Sequence, residues 1–154
     1  MYSTLHIERQ GRIATIWMNR PEVLNAFNED LIADLSAACK ELDADTSVRI
    51  VVLAGRGKHF SAGADLNWMK RASVHSPEEN VADARKFAGM LRALSDLSKP
   101  TIARVQGAAL GGGTGLTAAC DMAIASDDAV FATSEVKFGI IPSAISPYVL
   151  RAIG

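Results

Sequence analysis

The chain has 154 residues, 49% of them hydrophobic and 21% charged, with 17 acidic against 16 basic side chains. That composition fits one ordinary globular domain over residues 1–154 and excludes fibrous, collagenous and disordered readings, which need periodic glycine or depleted apolar content. A formal net charge of -1 supplies no basic field for collecting the phosphates of a nucleic acid.

Residues 4–9 and 12–18 are β-prone runs on either side of Gln10-Gly11 and predict a hairpin. Over residues 28–42, Leu31, Ile32, Leu35, Ala38, Cys39 and Leu42 recur at helical spacing, with Asn28 placed to cap the start. VRIVVL at residues 48–53 reads as a strand buried on both faces, the pattern of a parallel sheet. A loop at 57–63 leads to a helix expected to begin near Asp65. Residues 77–97 then predict a long amphipathic helix with Val81, Ala84, Phe87, Ala88, Leu91 and Leu94 on one side. Ser98-Lys99-Pro100 stops it. Residues 101–105 predict another buried strand, the glycine run from Gly107 leads into a small-residue helix through Ala119, and 122–125 and 129–132 predict two more strands. The alternation of strands and helices is that of an α/β fold. IIPSAISPYVLRAIG predicts a final helix with no polar tail, as at the end of a domain or at an internal boundary of a longer protein.

Cys39 and Cys120 lie far apart in apolar surroundings and predict buried free thiols. The first ten residues carry charges and no apolar stretch, so no signal or transit peptide is expected and the cytoplasm is the expected compartment. The longest uncharged run, residues 105–120, is too short and glycine-rich to cross a bilayer, so no membrane segment is expected.

Three places carry candidate chemistry. In HFSAGADL, residues 59–66, small side chains let a ligand approach the main chain, and a helix starting near Asp65 would aim free N–H groups at it; the same residues also suit a tight turn between strand and helix. In GAALGGGTGL, residues 107–116, consecutive glycines permit close backbone approach to a substrate oxygen. There Gly113, Gly115 and Ala118 also match a dinucleotide fingerprint with Glu135 as its acid, although Gly113 comes well beyond the strand end that this fingerprint requires. A phosphate loop is disfavoured because Val52 stands where the glycine leading to Gly57-Lys58 should be. In SEVKFGIIP, residues 134–142, Glu135 is flanked by Val136, Phe138, Ile140 and Ile141; apolar surroundings disfavour the charged form of a carboxyl and suit it to proton transfer, whereas exposure would make it an ordinary solvated glutamate. His6, His59 and His75 have no metal-ligand spacing with each other or with a carboxylate cluster, and Ser61 and Ser134 have no nearby candidate base, so neither metal hydrolysis nor a serine triad is expected.

In combination, NRPEVLNAF (19–27), GRGKHFSAGADL (55–66), KPTIARVQGAALGGG (99–113) and CDMAIASDDAVFATSEVKFGIIP (120–142) resemble, in order and spacing, the crotonase superfamily of enoyl-CoA hydratases and isomerases. The resemblance implies an α/β spiral of ββα turns, followed in the family by a C-terminal helical region absent from this sequence. It implies an acyl-CoA thioester as the partner, with coenzyme A part of the substrate and no separate cofactor or metal, and homotrimers or hexamers for a full-length protein. By position it makes the backbone N–H groups of Ala64 and Gly112 an oxyanion hole and Glu135 the proton carrier. Ala26, Ala62, Ala64, Asp65, Leu66 and Gly112 become substrate-binding.

The chain departs from the family pattern at two places. Where some relatives carry lysine shortly after the GAD triplet it has Asn67, with Lys70 a turn later, and where two-glutamate hydratases carry their first glutamate it has Gly115. The final segment looks most similar to the bacterial methylglutaconyl-CoA hydratase-like branch, for which glycine is also expected there. A hydratase is the leading expectation, with a one-glutamate double-bond isomerase next and a catalytically silent CoA-binding or assembly module as the third. Under the hydratase reading Thr114 is the nearest group to help orient water, and Gly115→Glu is expected to be tolerated.

Overall fold

The computed structural model describes residues 2–154. The chain opens with β1 (Leu5–Gln10) and β2 (Ile13–Met18), paired antiparallel with Leu5 opposite Met18, and Gly11 closes the turn at φ 58°. Helix α1 (Glu29–Ala44) follows, and the Asn28 side chain accepts the Leu31 N–H at 3.0 Å. Its six expected apolar residues, Leu31 to Leu42, are all buried. The far end of α1 is held by Lys99, whose ammonium donates to the carbonyls of Leu42 and Asp45.

β3 (Ile50–Gly55), β4 (Thr101–Val105) and β6 (Met122–Ala125) complete a sheet in the order β1-β2-β3-β4-β6, parallel from β2 onward. One sheet face supplies Ala14, Ile16, Met18, Val51, Leu53, Ala103 and Val105 to the core, where α1 and α3 (Pro77–Ser95) pack together. The opposite face is not buried as the apolar runs suggested. Ile50, Val52 and Ile102 are only half-buried there, and Arg56 and Arg104 lie 4.1 and 5.3 Å from the centre of the Trp17 ring. β6 is an edge strand, exposed along its length.

The hairpin and α1 follow the sequence expectation, and three other details differ from it. The strand predicted over residues 48–53 is shifted to Ile50–Gly55, because the Val48 N–H is drawn into a turn on the Asp45 carbonyl at 3.1 Å. The glycine run contains an unexpected strand, β5 (Ala108–Leu110), paired in parallel with β7 (Val130–Ala132). In α3 the predicted stripe is buried only at Leu91 and Leu94, joined by Met90, while Val81, Ala84 and Ala88 are exposed. Periodicity puts residues on one face without deciding whether anything covers that face.

Two further helices frame the region beyond the strand ends: α2 (Leu66–Ala72) after β3, and α4 (Gly112–Ala119) after β4 and β5. Helix α5 (Ser146–Ile153) packs on α4. The carboxyl ends of adjacent parallel strands β3 and β4 therefore feed the two glycine-containing segments singled out in the sequence, which is where open parallel sheets place ligands.

Candidate active site

The segment after β3 is fixed by the segment after β2. Leu24 and Asn25 adopt left-handed backbone, φ 55° and 52°, and the fully buried Asn25 side chain braces the turn. It accepts the Arg20 N–H at 2.9 Å and donates to the carbonyls of Arg56 and His59 at 2.9 and 3.0 Å. The two segments then run in parallel, with Ala62 N–H on Leu24 O, Phe27 N–H on Gly63 O and Asp65 N–H on Phe27 O, at 2.7 to 2.9 Å. In such a ladder Gly63 and Asp65 face Phe27 while the N–H of Ala64 between them points away. Among the described residues it donates to no protein acceptor.

On its other side the same segment pairs with β5. Ser61 N–H donates to Ala108 O at 3.0 Å and Leu110 N–H to Ser61 O at 2.9 Å, which sets Ser61 opposite Ala109. Further along, Ala64 and Gly112 both line one cavity. The approach is close: a Cβ on Gly63 would meet the Leu110 carbonyl at 3.1 Å, and one on Gly113 the Ser61 carbonyl at 2.7 Å. Gly112 begins α4, so its N–H belongs to the donors a helix leaves free, and among the described residues it too has no protein acceptor. Phe27 and Phe87, edge to face at 5.4 Å, back it.

Glu135 comes to the same place through β7. The Gly111 N–H donates to Ala132 O at 2.7 Å, tying the end of β7 to the glycine run, and a short 3-10 turn over Ser134–Phe138 follows. This carries Glu135 Oε1 to 3.1 Å from the Cβ position of Gly111, while Oε2 is buried with no hydrogen-bond partner among the described residues. The expected apolar surroundings are supplied in part by its sequence neighbours, since Phe138, Ile140 and Ile141 line the same cavity as Glu135. These three and Val136 are nonetheless open to solvent, with exposures between 49% and 76%. The orphaned carboxylate oxygen marks Glu135 as unusual.

A cavity of about 730 Å³ joins these pieces. Its wall includes each residue the sequence proposed, Ala26, Ala62, Ala64, Asp65, Leu66, Gly112 and Glu135, together with Phe27, Phe87, Ser134 and Ile145. Asp65 does not leave the α2 N–H groups free for a ligand as expected, since its own carboxylate accepts from Asn67 and Trp68 at 2.8 and 3.3 Å. It also pairs with Arg20 at 3.1 Å. Sequence reading missed Arg20 and Asn25, and the only local hint of them was the polar residue enclosed in VLNAF.

Burial pushes the Asp65 carboxyl up, but the Asn67 N–H, the Arg20 guanidinium and the Trp68 N–H outweigh it and hold the carboxyl below the ordinary carboxylate value. A depressed native value gives stability that is complete above the unfolded value, about 3.9, and is lost as pH falls through the native one. Asp65→Asn is therefore expected to cost about 1–3 kcal/mol at neutral pH. In thermal melts the gap between variant and parent should narrow as the solution is acidified below about pH 3.9. A gap of constant width down to acid unfolding would remove the ion pair from this account.

The structure corrects the expectation for Gly115. A Cβ there would lie 2.3 Å from Ile145 Cγ2 and 2.9 Å from Ile145 Cβ, so the space a glutamate needs is filled. Thr114 is also occupied: its hydroxyl is within hydrogen-bond reach of the carbonyls of Ala109 and Ala132, at 2.7 and 3.1 Å. Gly113 and Gly115 pack against Ser61 and Ile145, so these glycines serve helix packing and the dinucleotide fingerprint loses its open loop. The expected burial of Cys39 and Cys120 is observed, and burial pushes both thiols up to about 12. Among the described residues no helix is long and apolar enough to cross a membrane.

Comparison with known proteins agrees with this architecture. A solved chain from Legionella pneumophila, named for the enoyl-CoA hydratase/isomerase (crotonase) group, is 49% identical with a TM-score of 0.96, and the match covers 99% of this chain and 59% of that one. An enoyl-CoA hydratase structure from Shewanella pealeana is 42% identical, TM-score 0.95, covering 98% and 57%. The short-chain-enoyl-CoA hydratase of Clostridium acetobutylicum is 40% identical over 141 residues, and the match covers 88% of this chain and 51% of that protein. The chain thus spans little more than half the length of the relatives it matches. The enoyl-CoA hydratase/isomerase family model matches residues 8–154, and the chain belongs to that family.

Proposed function

We propose that the protein binds an acyl-CoA thioester in this cavity and adds water to an α,β-unsaturated acyl group, branched, methylglutaconyl-type chains being among the candidates. The carrying observation is the unpartnered Glu135 Oε2 in the same cavity as the unengaged N–H groups of Ala64 and Gly112. A thioester oxygen held by both donors would gain negative charge as an enolate forms, and each donor of that kind is worth about 3 kcal/mol of barrier. Water oxygen bonds to the β-carbon, the π electrons pass toward the thioester oxygen, and the Glu135 carboxylate takes the water's proton. The resulting carboxylic acid then returns a proton to the α-carbon. The names of the relatives support the same chemistry.

One observation favours a second reading. Ile145 closes the side of the cavity at Gly115 with hydrocarbon, and a site with one carboxyl suits double-bond isomerisation, which moves a proton between carbons and needs no water. Incubation with a 2-enoyl-CoA in heavy-oxygen water separates the two. Label on the β-carbon of a 3-hydroxyacyl product is expected, whereas conversion of a 3-enoyl-CoA to a 2-enoyl-CoA with no oxygen incorporation, for straight and branched chains alike, would replace the hydratase by the isomerase. Calorimetry should show binding of a CoA thioester and none of NAD.

A further inference from the structure

Adding water to a double bond requires that the water oxygen be aimed as well as deprotonated, and a lone carboxylate accepts the proton without fixing the angle of attack. Gly115 has no side chain to help and is covered by Ile145, while the Thr114 hydroxyl is engaged by backbone carbonyls. Ser134 is different. It lines the cavity, and its hydroxyl forms no hydrogen bond among the described residues. Its Oγ lies 3.6 Å from the Cβ position of Gly111, the same point from which Glu135 Oε1 lies 3.1 Å. Hydroxyl and carboxylate therefore flank one spot on the cavity wall, opened by a glycine at φ 51°.

Resting on the hydratase reading, we infer that Ser134 is a catalytic residue whose hydroxyl holds the attacking water while Glu135 deprotonates it. A serine hydroxyl both donates and accepts, so it can fix one lone pair or one hydrogen of the water and leave the other hydrogen for the carboxylate. In the step, the water O–H bond breaks toward Glu135, the oxygen–carbon bond forms at the β-carbon and the π pair moves to the enolate. Glu135 then protonates the α-carbon, and Ser134 emerges unchanged. Hydrogen and hydroxyl add to the same face, because one carboxyl handles the proton at both ends.

The test compares two reactions of the purified protein, hydration of a 2-enoyl-CoA and exchange of the α-hydrogen of a saturated acyl-CoA with heavy water. Exchange needs Glu135 and the two N–H donors but no attacking water. Ser134→Ala is expected to lower kcat for hydration about 10- to 100-fold with KM nearly unchanged, to leave exchange largely intact, and Ser134→Thr, which keeps a hydroxyl, should recover much of the loss. Equal loss of both reactions would make Ser134 a support for Glu135, and undiminished hydration in Ser134→Ala would remove it from the mechanism. The same holds if Ser143→Ala, a change to another serine of the cavity lining, produces the selective loss instead. A parent protein that exchanges but never hydrates overturns the hydratase reading itself, and the role of Ser134 with it.

Discussion

Glu135→Gln is expected to reduce kcat by about 10²- to 10⁴-fold while acyl-CoA affinity stays within a few-fold of the parent. The amide keeps the size and planarity of the carboxyl and still fits beside Gly111, where Oε1 now lies 3.1 Å from the Cβ position. What it cannot do is accept a proton from water and release it to carbon. Stability should not fall with activity. Oε2 is buried without a partner, so the parent already bears the cost of an unsatisfied carboxylate, and a neutral group there should leave the melting temperature unchanged or higher. Steady-state kinetics, calorimetry with a non-reacting acyl-CoA and a thermal melt give the three readouts. Retention of most activity in a correctly folded variant would exclude Glu135 as the proton carrier.

The setting of Glu135 was legible only in part. Its neighbours Phe138, Ile140 and Ile141 do line the same cavity but stay open to solvent, and the approach of Glu135 to Gly111 is a tertiary arrangement. Helix α1 could be read almost residue by residue, because its stripe has one period and is covered along its whole length. β5 could not be read. Ala108–Leu110 has little intrinsic strand preference and is a strand because β7 and Ser61 pair with it from distant parts of the chain. The same holds for the presence of Ala64 and Gly112 in one cavity wall. Motif resemblance put both in one site, but their segments are joined through the Ser61 and Ala109 pair, which no local pattern announces. The Arg20 and Asp65 ion pair bridges segments 45 residues apart and was invisible for the same reason.

Gly115→Glu is expected to be among the most damaging single changes in the chain, costing roughly 3–5 kcal/mol and lowering the melting temperature on the order of 10 °C. The β-carbon alone would sit 2.3 Å from Ile145 Cγ2, with Leu91 Cδ2 at 3.7 Å on the other side. Ile145 cannot retreat freely. It is 1% exposed, and its carbonyl accepts the N–H groups of Tyr148 and Val149, so moving it loosens the start of α5. That helix is further tied back by Arg151, which donates to the Ala118 carbonyl at 3.3 Å and to Ser95 Oγ at 3.2 Å. A carboxylate forced between Leu91 and Ile145 would also be desolvated by hydrocarbon. Steric and charge effects can be separated by a double-mutant cycle. Gly115→Ala should destabilise by overpacking alone, and Gly115→Ala combined with Ile145→Ala should recover part of that loss, since the second change empties the space the first one needs. Additive costs in that cycle, or a Gly115→Glu protein that melts like the parent, would mean that Ile145 swings clear at little cost. The apolar wall would then be no barrier to a second carboxyl, and the case for a site built around Glu135 and Ser134 would lose its steric footing.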